Sequence, residues 1–353
     1  MLLSVFGTPS ALMYGGLNLV RNLTELGVGA HKLANANTTD ELRKTLADLK
    51  LGDQAKVVFY SDLPSAELCA LFIKSRAPIV LFIDNFDDVV GYVRDAREMG
   101  FADSARLASR SFCALEPVIR SDLVLKFDAK TYRRPVREVL REIAEFFGTK
   151  LPEANLDRVV ASLIEEAGKA SVSDYLFRAF PAAKPPGDSL QRMLPEDRRV
   201  VTQLLKPYSA VAAGQSFEQM DWPIGLFMDS ADPTRPFSGR VELLGPARFL
   251  AFGPYLHLTP GKWCADVVFE IAENHSGNLL YADVYAGEIL SVINTPLPPD
   301  GTYQLQIFFD IEDPLEPVQV RFQTLSGAIE GVMTFNRVEL RKIENEQAVA
   351  ERI

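Results

Sequence analysis

Residues 79–83, Ile-Val-Leu-Phe-Ile, form an unbroken apolar run that leads into Asp84-Asn-Phe-Asp-Asp88 and then a helix-periodic stretch. A strand with no polar position has no face to offer to water, so it belongs inside a sheet covered on both sides. A parallel sheet, whose crossover helices supply both covers, meets that need. The flanking chain agrees. Leu2–Phe6, Lys56–Tyr60 and Leu123–Phe127 are short strand-like runs. Between and after them Leu12–Leu26, Thr39–Leu49, Ser65–Ser75, Val89–Met99, Ser104–Leu115 and Pro135–Phe147 carry apolar residues at helical spacing. Gly27 and Gly148 stand at two helix ends, and Thr39 or Asp40 is placed to cap a helix start. Residues 1–150 are therefore expected to be a parallel-sheet α/β domain.

The rest of the chain changes character twice. Residues 151–236 hold helical segments broken by Pro-rich joints, such as Phe180-Pro-Ala-Ala-Lys-Pro-Pro-Gly187, and read as a helical connecting region. Residues 237–343 are a series of short strands separated by Gly, Pro and Asn turns: Phe249–Phe252, Trp263–Ile271, Leu279–Tyr285, Glu288–Ile293, Tyr303–Ile311, Val318–Thr324 and Gly331–Arg341. That pattern predicts an antiparallel β-sandwich or jelly roll. Residues 344–353 are a polar tail. A length of 353 residues suits two domains. The net charge of −10 argues against a nucleic-acid partner, which needs a basic face. Cys69, Cys113 and Cys264 are too scattered for a metal site or a disulfide framework, so a reducing, cytoplasmic location is expected. No apolar run is long enough to span a membrane.

Three segments of residues 1–150 resemble, in order, the P-loop-type sulfotransferases. The first is the strand leading into Gly7-Thr8-Pro9-Ser10 and the helix from Leu12. In that family this loop wraps the 5′-phosphosulfate with backbone N–H groups and a cationic side chain. Gly7 and Pro9 match, but Ser10 stands where the cation is expected. The second is Ile83-Asp84-Asn85-Phe86-Asp87, set against a family pattern of Arg-Asp-Pro-x-Asp followed by a Ser. Asp84 and Asp87 match, whereas Ile83 and Gly91 replace the Arg and Ser that hold the 3′-phosphate. The third, Asp122–Lys130 with Phe146-Phe147-Gly148, resembles packing and capping elements. The resemblance implies a donor crevice lined by Gly7, Thr8, Pro9, Ser10, Asp84 and Asn85. It also implies that the charge-assisted phosphate contacts are lost. Arg94 and Arg97 read as surface charges, and His31 as an edge residue and not a base.

In the β half, Phe252-Gly-Pro-Tyr-Leu-His-Leu-Thr-Pro-Gly-Lys-Trp263 resembles the entry strand of jelly-roll modules attached to bacterial carbohydrate-active enzymes and glycosyltransferases. Such modules stack exposed aromatic rings on sugar faces. The candidates here are Tyr255, Trp263, Tyr281, Asp283 and Tyr285, with His257 nearby. The competing expectation is that these rings fill the sandwich core, above all Trp263. Tyr281, Asp283 and Tyr285 share one face of their strand, so they are inward together or exposed together. Asp310-Ile-Glu312-Asp313 reads as a solvated turn, and no metal is expected.

Together these readings give a sulfotransferase-like fold with a degenerate donor site, joined to a glycan-binding-like sandwich and serving surface polysaccharide assembly or modification. No cofactor is required on this reading. The alternative is an active sulfuryl or glycosyl transferase with a divergent anion site, which would need 3′-phosphoadenosine 5′-phosphosulfate for sulfuryl transfer. A second alternative is a structural protein that forms a homo-oligomer through the sandwich.

Overall fold

The apolar run at residue 79 is a strand whose every residue is buried. In the computed structural model it lies inside a five-stranded parallel sheet made of β1 (Leu2–Gly7), β2 (Lys32–Asn35), β3 (Val57–Ser61), β4 (Ile79–Phe82) and β5 (Val124–Phe127). The order is β2-β3-β1-β4-β5, with each neighbouring pair parallel. The structure describes residues 1–343 apart from 51, 53–54, 150–151, 165–169, 216–217, 231, 233–236 and 276. The tail, 344–353, lies outside the described residues. The chain divides into two compact units, one of Met1–Met193 with Val211–Gly214, the other of Leu194–Ala210 with the chain from Gln215.

The first unit adds helices α1 (Ala11–Gly27), α2 (Thr39–Asp48), α3 (Ala66–Lys74), α4 (Phe86–Arg97), α5 (Phe101–Ile119) and α6 (Val136–Phe146). These are followed by α7 (Glu153–Leu163), α8 (Val172–Ala179) and α9 (Asp188–Gln191). The amphipathic spacing of α6 buries Val136, Val139, Leu140, Ile143 and Ala144. Each larger side chain among them contributes roughly 1.5–3 kcal/mol of burial. They share a core with Leu17 and Leu23 of α1, Val159 of α7 and Leu176 of α8. The helices after residue 151 thus complete the cover of the sheet.

Two boundaries differ from the sequence expectation for local reasons. Thr38, not Thr39 or Asp40, caps α2: its hydroxyl accepts from the Glu41 N–H while the Glu41 carboxylate accepts from the Thr38 N–H. The Thr39 hydroxyl instead donates to Glu67 at 2.6 Å. Helix α4 begins at Phe86 and not at Val89. Asn85 is extended there, and the Phe86 ring is fully buried 5.6 Å from the Phe112 ring. Strand β2 has a single buried residue, Ala34, and is an edge strand held by its pairing with β3, so it carries little hydrophobic signal.

The second unit holds α10 (Pro195–Ala212) as far as Ala210 and continues as strands β6 (Gln219–Asp221), β7 (Met228–Asp229), β8 (Arg240–Glu242), β9 (Phe249–Leu256) and β10 (Gly261–Ala272). After these come β11 (Leu279–Ala286), β12 (Glu288–Pro296), β13 (Gly301–Ile311), β14 (Val318–Thr324) and β15 (Val332–Lys342). One sheet runs β13-β10-β15-β6 with β8 on β15, and the other runs β12-β11-β14-β9-β7. β6 and β7 join these sheets ahead of residue 237, where the composition shifts. Alternate residues point inward: Leu280, Ala282 and Val284 from β11, Val320 and Phe322 from β14, and Val267 from β10 are fully buried. Phe322 of one sheet meets Phe335 of the other with ring centroids 4.7 Å apart. Among the described residues no helix is long and apolar enough to cross a membrane.

Candidate functional site

In the first unit, β1 and β4 deliver Gly7 and Asp84 to the same end of the sheet, as the donor-crevice expectation requires. The loop between β1 and α1 is closed, however. Gly7, Thr8, Pro9 and Ser10 are all buried. The Thr8 N–H donates to the Phe82 carbonyl at 3.1 Å, and the Thr8 hydroxyl accepts from the Asp84 N–H at 3.1 Å. Ser10 caps α1 by accepting from the Met13 N–H at 3.2 Å. A Cβ on Gly7 would sit 2.4 Å from the Phe82 oxygen and 2.6 Å from Met13 Cγ. Two N–H donors here, those of Thr8 and Met13, are thus spent on the protein, and the Met13 side chain packs against Gly7.

The acidic side of the crevice is equally committed. Asp84 is buried and accepts from the Tyr132 hydroxyl at 2.7 Å and from the Asn85 N–H at 3.1 Å. Burial first, and the neighbouring Asp88 second, push its carboxyl up to about 7. Asp88 accepts from the Gly187 N–H at 2.9 and 3.1 Å and from the Asn85 amide at 2.9 Å. Burial, followed by repulsion from Asp87, raises it to about 6. Asn85 itself is exposed. Ile83, at the position of the expected arginine, is buried and its N–H donates to the Phe127 carbonyl at 2.9 Å. An anion placed here would face the carboxyl groups of Asp84 and Asp88.

Gly91 explains what fills the space. A Cβ there would lie 2.6 Å from both Cβ and Oγ of Ser189, which α9 presses onto α4. The absence of a side chain at Gly91 is what lets Ser189 pack there. Gly91→Ser is accordingly expected to lower the stability of this unit by about 1–3 kcal/mol in urea denaturation. Adding Ser189→Gly to it should restore most of the loss, because the two changes touch each other.

The basic and imidazole candidates each lie beside a carboxylate of their own. Arg97 is exposed, as expected of a surface charge, and it is paired: it donates to the Tyr14 hydroxyl at 2.9 Å and to Asp62 at 3.1 Å, and Tyr14 donates to Asp62 at 2.7 Å. His31 lies 3.2 Å from the Glu25 carboxylate, at the start of β2.

The second unit offers an open face. Directly paired residues of antiparallel strands point the same way, so the register of the β12-β11-β14-β9-β7 sheet lays out three rows on its outer side. Asn294, Tyr281, Gln323 and Phe249 make the first. Val292, Asp283, Arg321, Phe252 and Met228 make the second. Ile289, Tyr285, Gln319 and Pro254 make the third, with Tyr255 beside it. Arg321 is the centre. Its Nε and one amino nitrogen donate to the two Asp283 oxygens at 2.7 and 3.0 Å. Its guanidinium carbon lies 4.3 Å from the Tyr285 ring centroid and 5.6 Å from that of Phe249. A planar cation is thus fixed between two rings by a bidentate carboxylate.

Of the sequence candidates, Tyr255, Tyr281, Asp283 and Tyr285 are brought together on this face or its border. Tyr281, Tyr285 and Tyr255 are half-buried, and Tyr255 meets the Phe252 ring edge-on at 6.4 Å. Asp283 is buried without pointing inward, because Arg321 covers it. Trp263 does not join them: it is fully buried, and its indole N–H donates to the Thr259 carbonyl at 3.0 Å. His257 is buried as well. Sequence reasoning missed Arg321, Phe249, Phe252, Gln319 and Gln323. The period-two pattern of Val318-Gln-Val-Arg-Phe-Gln-Thr324 held the signal for three of them.

The architecture is that of a parallel-sheet α/β unit joined to an antiparallel β-sandwich. No protein-family model matches the chain, and no curated protein matches it. Among solved structures the chain is similar to the mouse sulfotransferase SULT7A1 complexed with PAP, at 14% identity over 57% of this chain and 81% of that one, with a TM-score of 0.42. It is also similar to the xylan-binding module CBM15, at 12% identity over 36% of this chain and 97% of that one, with a TM-score of 0.26. A third is TmCBM61 in complex with β-1,4-galactotriose, at 10% identity over 28% of this chain and 67% of that one, with a TM-score of 0.22. At such identities, what each neighbour binds is a property of that neighbour.

Proposed function

We propose that this chain is a glycan-binding protein whose α/β unit keeps a transferase-like sheet without transferring a sulfuryl group. The observation that carries this reading is the Asp283–Arg321 pair held between the Tyr285 and Phe249 rings, on a sheet face with further aromatic and amide side chains. Sugar rings offer apolar C–H faces and hydroxyl edges. Aromatic rings take the former, while Arg321, Gln323 and Asn294 can bond the latter. The closed Gly7–Ser10 loop and the Ser189 plug support the non-catalytic half of the reading. The same reading extends to a role in surface polysaccharide assembly or modification, in which the chain would hold a glycan.

Two titrations of the full chain test the two halves. Calorimetry with 3′-phosphoadenosine 5′-phosphate is expected to give no saturable heat; micromolar binding would overturn the loss of the donor site. A glycan array is expected to give saturable binding to an extended oligosaccharide, and a blank array would remove the platform.

A further inference from the structure

Resting on the glycan reading above, we infer that the platform selects neutral polysaccharides and discriminates against uronate-bearing and sulfated ones. The three registered rows span five strands, and among their described residues Asp283 and Arg321 are the only charged side chains. The remaining positions are tyrosine, phenylalanine, glutamine, asparagine, proline, methionine and branched aliphatics. The one cation is already compensated: Asp283 lies beneath it, buried, and accepts two of its N–H groups.

An anionic sugar approaching Arg321 therefore meets a guanidinium whose charge is cancelled at about 3 Å by a carboxylate that cannot move away. It would give up its own hydration and gain little in return. The chain's net charge of −10 adds a general repulsion at low salt. A cationic sugar fares no better, because Arg321 covers the carboxylate. A neutral hydroxyl or ring oxygen carries neither cost. It accepts from the outer amino group of Arg321, which Asp283 leaves available, while the Tyr285 and Phe249 rings take the adjacent C–H faces. The rows are separated by two residues, roughly 7 Å, and the strands by roughly 4.8 Å. The face is thus long enough to follow an oligosaccharide.

The test is affinity electrophoresis and calorimetry of the full chain. The neutral probes are β-1,4-linked hexasaccharides of glucose, xylose and galactose; the anionic probes are oligogalacturonate and a heparin hexasaccharide. Each is run at about 20 mM and about 500 mM salt. The expected result is saturable binding of at least one neutral probe, with affinity changing less than about two-fold between the two salts. The anionic probes should bind at least about ten-fold more weakly. Arg321→Met, which keeps the bulk and drops the donors, should weaken the neutral probe at least about ten-fold. Tyr281→Phe, tested beside it with the circular dichroism of both variants, guards against misfolding and reports a hydroxyl at the edge of the face. Tight anionic binding that collapses in high salt would leave the glycan platform standing and overturn its selectivity. No binding by any probe would overturn the platform itself. Neutral binding that Arg321→Met leaves unchanged would overturn the role given to this face.

Discussion

Replacing Asp283 by Ala is expected to lower the stability of the sandwich unit by about 3 kcal/mol and to abolish glycan binding together. Asp283 is 1% exposed and Arg321 only 17%, so the guanidinium would be left mostly buried with no counter-charge. It would also lose the two bonds that hold it between the Tyr285 and Phe249 rings. The companion variant Asp283→Leu/Arg321→Met removes both charges and keeps the volume. Its stability in guanidinium denaturation should return to near the wild-type value, because a buried ion pair gains little over well-packed apolar groups. Its glycan binding should not return. A double variant as unstable as Asp283→Ala would mean that the pair is structural in a way its geometry does not explain.

The second large effect is a pH dependence seated in the α/β unit. Asp84 keeps its proton in the folded chain up to about pH 7, whereas the unfolded chain releases it near the ordinary 3.8. Between those values the folded state binds more protons than the unfolded one. Stability from this group is therefore complete below about pH 4, falls as pH rises, and levels off above about pH 7. Asp88, raised to about 6, adds to the same slope. Asp84→Asn removes the charge and keeps an acceptor for Tyr132. The variant should match the wild type at about pH 4 and exceed it at pH 8 by roughly 2–3 kcal/mol, read as a melting temperature raised by several degrees. Equal melting temperatures for the two proteins at pH 8 would contradict a raised Asp84 carboxyl.

How legible each half was depends on what the signal was made of. The run Ile79–Phe82 announced a central parallel strand because solvent exclusion on both faces leaves no other composition. The strands of the sandwich were equally plain, since turns at Gly, Pro and Asn delimit them. The state of the crevice was only half legible. Ile83 and Gly91 stood out against the resembling pattern, but nothing local said that Ser189, nearly a hundred residues later, packs onto Gly91. The proposed glycan face was visible as Tyr281, Asp283 and Tyr285 on one strand. Its centre, Arg321, comes from another strand, and only the register that sets Asp283 opposite Arg321 unites them. Trp263 shows the limit of composition: a ring on an alternating strand looks the same whether it faces solvent or core, and here it lies in the core.

The Gly91–Ser189 fit has a consequence for anyone wishing to build a phosphate-donor site here. An arginine at position 83 would have to leave a buried strand end, a serine at 91 would collide with α9, and an opened Gly7–Ser10 loop would forfeit the cap of α1. Each step taken alone is destabilising, and none creates a phosphate site by itself. A path of single replacements has no stable intermediate ledge, so installing donor binding demands several coordinated replacements at once.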